Sequence, residues 1–131
     1  MWSINSGEGA VYVLINCLLA KAFMSFYWRI PIVFAGSNKE KRRQVVEGAF
    51  FKNSHAAQLN DAEWAPLFVA TLLFLHLKGV EARGASMLAV FGCVEYVWAK
   101  ILLPFPSHTL GAVARYISLI MICSELLKIL A

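Results

Sequence analysis

The chain has 131 residues, of which 60% are hydrophobic and 15% are charged, and its formal net charge is +4. Its mean hydropathy is +0.64. In ordinary soluble domains roughly half of the residues are apolar, so this composition excludes that class. The length suggests a single domain, which we expect to span residues 1–131.

Four apolar segments follow one another along the chain. They cover about residues 10–35, 56–77, 85–103 and 109–130. A helix needs roughly 20 apolar residues to cross a bilayer, and each segment approaches that length. We therefore predict an all-α, multi-pass integral membrane protein whose protomer is a four-helix bundle in contact with the lipid bilayer.

The first segment contains two polar residues, Asn16 and Lys21. Ionisable side chains inside a membrane are costly and usually have a partner. Lys21 can reach the interface along its own stem or pair with a carboxylate of another helix. We therefore expect this helix to turn one side away from lipid.

A polar connection, residues 36–51, joins the first two segments. It carries a run of basic side chains, namely Lys39, Lys41, Arg42 and Arg43. No basic residue precedes the first segment. Such a run at a membrane edge indicates orientation or contact with anionic lipid. Because the cluster is short and joins two spans, nucleic-acid binding is disfavoured. We expect the connection to face the cytosol and both termini to lie on the opposite side.

The sequence contains no motif for a metal, a nucleotide or a disulfide framework. Its cysteines, Cys17, Cys93 and Cys123, all fall inside predicted spans. There is no CxxC or HExxH spacing, no glycine-rich phosphate loop and no GxSxG elbow. We therefore expect no metal site.

Polar residues gather at the head of the second segment. Asn60, Asp61 and Glu63 directly precede the apolar run of residues 67–77. On a helix, Asn60 and Glu63 share one face with Asn53 and Ala56 at spacings of three and four residues. The pattern fits either a hydrated membrane-entry turn or a functional site.

The segment HAAQLNDAEWAPLFVATLLFL, residues 55–75, resembles the second-helix signature of the membrane-associated proteins in eicosanoid and glutathione metabolism (MAPEG). That signature has an arginine, an asparagine, a glutamate and a proline at fixed spacing. FYWRIPIVFA resembles the exit of the family's first helix, and PSHTLGAVARY resembles the start of its fourth. The resemblance covers nearly the whole chain.

The resemblance implies a four-helix protomer that forms a homotrimer and binds glutathione between protomers near the cytosolic side. By position, Asn60 and Glu63 would contact the peptide, with Gln58 close by. His108 would take the place of the fourth-helix arginine that activates the glutathione thiol. A glutamate suits the peptide's ammonium group, and an arginine suits its carboxylates.

Three positions depart from the family pattern. Ala56 replaces the motif arginine, His108 replaces the fourth-helix arginine, and Glu95 occupies the place of a third-helix arginine. These changes make a pocket for glutathione less complementary by several charge-assisted hydrogen bonds, each worth about 1.5–3 kcal/mol. The basic residues that could substitute are Lys52, His55, Lys100 and Arg115.

Two functions of different classes therefore stay open. The chain is a glutathione transferase or peroxidase that acts on lipophilic electrophiles or hydroperoxides, with His108 stabilising the thiolate. Alternatively it is a catalytically degenerate accessory subunit of a larger membrane complex, in which Glu63 pairs with Lys100 or Lys21. An endoplasmic reticulum or other organelle membrane fits either function, and the compartment is open.

Overall fold

The computed structural model describes residues 3–131, and within them the regular structure is entirely helical. The helices are α1 (Ser6–Met24), α2 (Ile30–Phe34), α3 (Lys39–Glu47), α4 (Ala49–Leu77), α5 (Arg83–Leu102) and α6 (Thr109–Leu130), and a π-helical turn (Ser25–Arg29), here called the π turn, joins α1 to α2. The predicted all-α class is confirmed.

The first apolar segment forms one continuous helical path through α1, the π turn and α2. It begins at a capping box in which Asn5 and Glu8 satisfy each other's backbone N–H groups. Pro31 has no N–H and removes one helical hydrogen bond. Just before it the backbone widens, and the Ile30 N–H donates to the Ser25 carbonyl with π spacing. Regular α-helix therefore stops at Met24 and resumes in α2, whose first turn contains Pro31.

The polar connection is partly helical. It contains α3, which begins where the Asn38 side chain accepts a hydrogen bond from the Lys41 backbone N–H at 3.1 Å. Gly48 then separates α3 from α4 with an extended backbone. As a result α4 begins at Ala49, about two turns before the predicted start near residue 56.

Three described helical segments are long and apolar enough to cross a membrane: Ser6–Phe34, Arg83–Leu102 and Thr109–Leu130. α4 is also long, at 29 residues, but polar side chains interrupt its first half, as Asn60, Asp61 and Glu63 show. The chain is therefore a membrane protein. The predicted fourth span, and with it the four-helix count, stays a prediction.

The helices meet in two apolar clusters. The larger one joins α1, α4, α5 and α6 around side chains that include Val13, Phe68, Leu72 and Ile122. The smaller one lies around Tyr96 and Val97 of α5. In both clusters α1, α4 and α5 pack against one another, and α6 packs mainly against α5. The polar half of α4 also meets α6, through Asn60 and Asp61.

The apolar path through α1 and α2 predicts that Ser3 and Ser37 face opposite sides of the membrane. Its 29 residues would extend about 43 Å at about 1.5 Å per residue, against a hydrocarbon core of about 30 Å. Ser3→Cys and Ser37→Cys, each made in a Cys123→Ser background, should react with an impermeant maleimide from opposite sides of sealed vesicles. Labelling of both positions from one side would contradict a membrane-crossing first segment.

Candidate functional site

The buried side of α4 is not the face that the sequence pattern emphasised. Asp61 lies on the buried side and is 1% exposed, together with Ala57 and Phe68 of the same helix. The polar face predicted from sequence, which carries Asn60 and Glu63, is rotated about the helix axis away from the buried side, because adjacent helical residues point about 100° apart. On that face Glu63 is exposed and Asn60 is half-buried.

A buried ion pair joins α4 to α6. Arg115 Nη2 lies 3.0 Å from Asp61 Oδ1, and both side chains are almost fully buried. Arg115 Nη1 donates to Asn60 Oδ1 at 2.6 Å. The guanidinium carbon lies 4.3 Å from the centroid of the Tyr96 ring, within the range of a cation–π contact. Arg115 is therefore the centre of a polar cluster inside the helix bundle.

A small cavity of about 140 Å³ opens beside this cluster. Its walls are aromatic and polar: Asn60, Trp64, Tyr96, Ala112, Arg115 and Tyr116. Among the described residues, neither Asp61 Oδ2 nor Arg115 Nε finds a hydrogen-bond partner. A buried polar atom without a partner is costly, so the cluster retains hydrogen-bonding capacity for a water molecule or a ligand group.

The residues predicted to bind glutathione point in different directions. Asn60 faces α6 and its side-chain oxygen is occupied by Arg115. Glu63 is exposed and forms no ion pair within residues 3–131. Gln58 lines a different cavity, between the π turn and α4. A single chain therefore does not bring the three side chains into one pocket.

His108, predicted to stabilise the thiolate, lies directly before the first residue of α6. Its ring packs edge-on against Tyr96, at 5.4 Å between centroids. It also packs against Phe105 in a tilted arrangement, at 5.7 Å between centroids. Tyr96 also contacts Arg115. Tyr96 thus connects His108 to the polar cluster around Arg115.

The other polar residues of α5 are satisfied within the chain. Glu95 accepts a hydrogen bond from the Gly111 backbone N–H. Lys100 Nζ donates to the Tyr96 hydroxyl at 3.0 Å. The accessory-subunit hypothesis considered a pair between Lys100 and Glu63, but Lys100 instead contacts Tyr96.

Sequence reasoning missed the roles of Asp61 and Arg115 in this cluster. A signal was present, because Arg115 lies inside an apolar segment and an ionisable residue at that depth requires a partner. The available carboxylates near the polar end of α4 were Asp61 and Glu63. Which of them faced α6 depended on the rotation of α4 about its axis.

A second cavity, of about 390 Å³, lies between the π turn and α4. Its polar wall combines cationic and hydrogen-bonding side chains from both segments: Lys21, Ser25, Arg29, His55 and Gln58. The indole Nε1 of Trp28, which also lines it, is buried and has no hydrogen-bond partner in the described part of the chain. We call this space the π-turn cavity.

These features define a class of protein. It is a helical membrane protein with a buried charged cluster in the polar half of α4 and a basic cavity between the π turn and α4. The sequence model of the MAPEG family matches residues 8–123. The chain therefore belongs to the MAPEG family, as the resemblance of its second segment indicated. No curated protein and no solved structure matches the chain.

Proposed function

We propose that the protein binds glutathione at the polar end of α4 and uses its thiol against lipophilic electrophiles or lipid hydroperoxides from the bilayer. The observation that supports this proposal is the exposed Glu63 carboxylate, which has no ion-pair partner among residues 3–131. A carboxylate beside an apolar segment needs a partner or a function. The ammonium group of glutathione supplies such a partner.

The chemistry requires that glutathione lose its thiol proton. In the transferase reaction the thiolate sulfur forms a bond to an electrophilic carbon, whose leaving group departs or whose double-bond electrons take a proton. In the peroxidase reaction two glutathione molecules are oxidised to the disulfide while the hydroperoxide is reduced to an alcohol and water.

Within this proposal His108 and Lys100 are the candidate groups for stabilising the thiolate, since both contact Tyr96. Arg115 is less suited because Asp61 offsets its charge at 3.0 Å. A neighbouring protomer would complete the site, because Gln58 lies on a different side of α4 from Asn60. A homotrimer therefore belongs to this proposal.

One observation favours the accessory-subunit function as a second candidate. The Asn60 oxygen and the Arg115 guanidinium, which could otherwise bind a ligand, already bind each other. In that case the cluster fixes α6 against α4, and Glu63 pairs with a cation of a neighbouring chain in a larger membrane complex.

Glu63→Gln separates the two functions. If Glu63 binds the ammonium group of glutathione, the variant should bind glutathione about 10-fold or more weakly, a loss of about 1.4 kcal/mol or more. Its melting temperature should change little, because the side chain is exposed. Isothermal titration calorimetry of the purified protein in detergent measures both the wild-type affinity and the loss.

Glu40→Gln is the matched control, since Glu40 is an exposed carboxylate on α3, remote in sequence from the site. It should leave glutathione affinity unchanged. Wild-type protein that binds no glutathione, or a Glu63→Gln variant that binds it as tightly as wild type, would refute the enzyme proposal and leave the accessory function.

A further inference from the structure

We propose that the groove between α2 and α3 binds an anionic phospholipid, with the phosphate of its headgroup at Lys41 and an acyl chain along Phe34. This space, here called the α2–α3 groove, has a volume of about 540 Å³ and is lined by six residues: Pro31, Phe34, Ala35, Lys41, Gln44 and Val45. Among the described residues it shares none of its lining with the π-turn cavity or with the cavity beside Arg115. A lipid bound there is therefore separate from the proposed glutathione site.

Helix α3 needs a surface to pack against. None of its nine residues, all in the described part of the chain, is buried. A helix of this length is marginal in water without a packed face, because its first turn fixes several dihedral angles for one hydrogen bond. Its valines stay accessible, since Val45 is half-buried and Val46 is 43% exposed. The bilayer surface is a partner that covers such a face.

The α2–α3 groove combines a free cation with an apolar wall. Lys41 forms no ion pair within residues 3–131, and no carboxylate of those residues lines the groove. Gln44 adds an amide donor from the same helix, while Pro31 and Phe34 of α2 and Val45 of α3 supply apolar surface. A phospholipid has the matching arrangement, because its anionic phosphate accepts charge-assisted hydrogen bonds and its chains are apolar.

The groove lies at the end of the first membrane-crossing path. That path, Ser6–Phe34, has 29 residues and extends about 43 Å, against a hydrocarbon core of about 30 Å. Its ends therefore lie near the headgroups. Val33 and Phe34 are 70% and 85% exposed, which is unfavourable in water and favourable against acyl chains. Lys41 follows on α3, so the cation lies beside the apolar end of the path.

The charge around the groove favours an anionic lipid over a zwitterionic one. Lys39, Arg42 and Arg43 of α3 are exposed, and of these only Arg43 has an ion-pair partner within residues 3–131, Glu47. Basic residues beside a membrane attract anionic lipids, which the cytoplasmic leaflet carries. The connection is predicted to face that side. These residues raise the local concentration of the lipid, while Lys41 contacts it.

The test measures retention of phosphatidylglycerol by the purified chain in phosphatidylcholine nanodiscs of increasing phosphatidylglycerol content. Native mass spectrometry of the released protein counts the bound lipid. Wild type should retain phosphatidylglycerol in preference to phosphatidylcholine, and equal retention of the two lipids would overturn the proposal. Lys41→Gln should weaken retention about 5-fold or more, because it removes a charge-assisted hydrogen bond to the phosphate at a partly solvated site.

Lys39→Gln is the matched control for the charge. It removes the same charge from the same helix, but Lys39 does not line the groove. Solvent screens a charge that does not touch the headgroup, so this variant should change retention by less than about 2-fold. Both lysines are exposed, and both variants should melt as wild type does. Equal losses of lipid in the two variants would overturn the groove in favour of general surface attraction.

Phe34→Ala tests the contact with the acyl chain. It removes apolar surface from the groove wall and should weaken retention about 3-fold or more. Val33→Ala is its control, because Val33 is also largely exposed but does not line the groove, and it should change retention by less than about 2-fold. Retention that is unchanged in Phe34→Ala would overturn the assignment of the groove to a lipid.

A soluble competitor identifies the source of the anion. Inorganic phosphate at millimolar concentration offers the same hydrogen-bond acceptors to Lys41 but no acyl chain for Phe34. It should therefore leave phosphatidylglycerol bound. Displacement of the lipid by inorganic phosphate would overturn the proposal in favour of a free-phosphate site.

Two further measurements keep this site distinct from the proposed function. Glu63 does not line the groove, so Glu63→Gln should retain phosphatidylglycerol as wild type does, whatever its effect on glutathione. Millimolar glutathione should not displace the lipid from wild type. Displacement by glutathione, or a loss of lipid in Glu63→Gln equal to that in Lys41→Gln, would overturn the groove as a separate lipid site.

Discussion

Asp61→Asn is expected to lower the free energy of unfolding by about 3–5 kcal/mol, because it leaves the buried Arg115 guanidinium without its counter-charge. The two side chains are 1% and 2% exposed and lie 3.0 Å apart. Unfolding in mixed micelles of mild detergent and increasing dodecyl sulfate measures the change.

Two controls assign that loss to the stranded charge. Arg43→Gln breaks an ion pair with Glu47 whose side chains are more than half exposed, and such pairs contribute about 0–1 kcal/mol. The double variant Asp61→Leu with Arg115→Met removes both charges and should recover much of the stability. A loss below about 1 kcal/mol in Asp61→Asn would show that the pair does not hold α4 and α6 together.

Gly111→Ala is expected to destabilise the protein by about 1–3 kcal/mol through overpacking between α5 and α6. A Cβ at this position would lie 2.5 Å from the Tyr96 backbone nitrogen and 2.9 Å from the Gly92 carbonyl oxygen, and it would also overlap the Glu95 carboxylate. Backbone atoms cannot move aside as a side chain can. The cost should therefore exceed the roughly 1 kcal/mol that alanine gains over glycine in a helix.

Gly84→Ala is the matched control, because Gly84 also lies in a helix but its added Cβ meets only the flexible tip of Met121. This variant should be neutral or slightly stabilising. Thermal unfolding in detergent compares the two substitutions. Equal melting temperatures for Gly111→Ala and wild type would mean that α5 and α6 do not pack as closely as the structure places them.

The apolar helices could be predicted from sequence because their signals are local. The last one, predicted over about residues 109–130, forms as α6 (Thr109–Leu130). α5 ends at Leu102, just before Pro104 and Pro106. A run of apolar residues and a proline act through the backbone itself, so no knowledge of packing was needed.

The connection before α4 could not be predicted so well. Its charge indicated a polar segment, and a polar segment can be a loop or a surface helix. Asn38 starts α3 by capping the Lys41 N–H, and Gly48 allows a new start at Ala49. Capping of this kind is readable from sequence, but the hydropathy pattern alone hid it.

The sequence singled out Asn60 and Glu63 as candidate site residues, but it could not show which groups their side chains contact. Asn60 was expected near a ligand, yet within the chain it binds Arg115. Asp61 is its neighbour in sequence and faces the core, while Glu63 is exposed. Adjacent helical residues point about 100° apart, so a small rotation of α4 decides which carboxylate becomes structural. That rotation is set by packing across four helices.

Because of the π turn, deleting one residue at this place would change how α1 and α2 are oriented relative to each other. It holds one residue more than an α-helical turn would, so deleting a single residue between Ser25 and Arg29 would restore α-helical spacing without breaking the segment. Everything on one side of the deletion would then rotate by about 100° and shift by about 1.5 Å relative to the other. Arg29 and Lys21 could no longer line the same cavity as they do now. The membrane path of the helix would persist, while its polar contacts toward α4 would be lost.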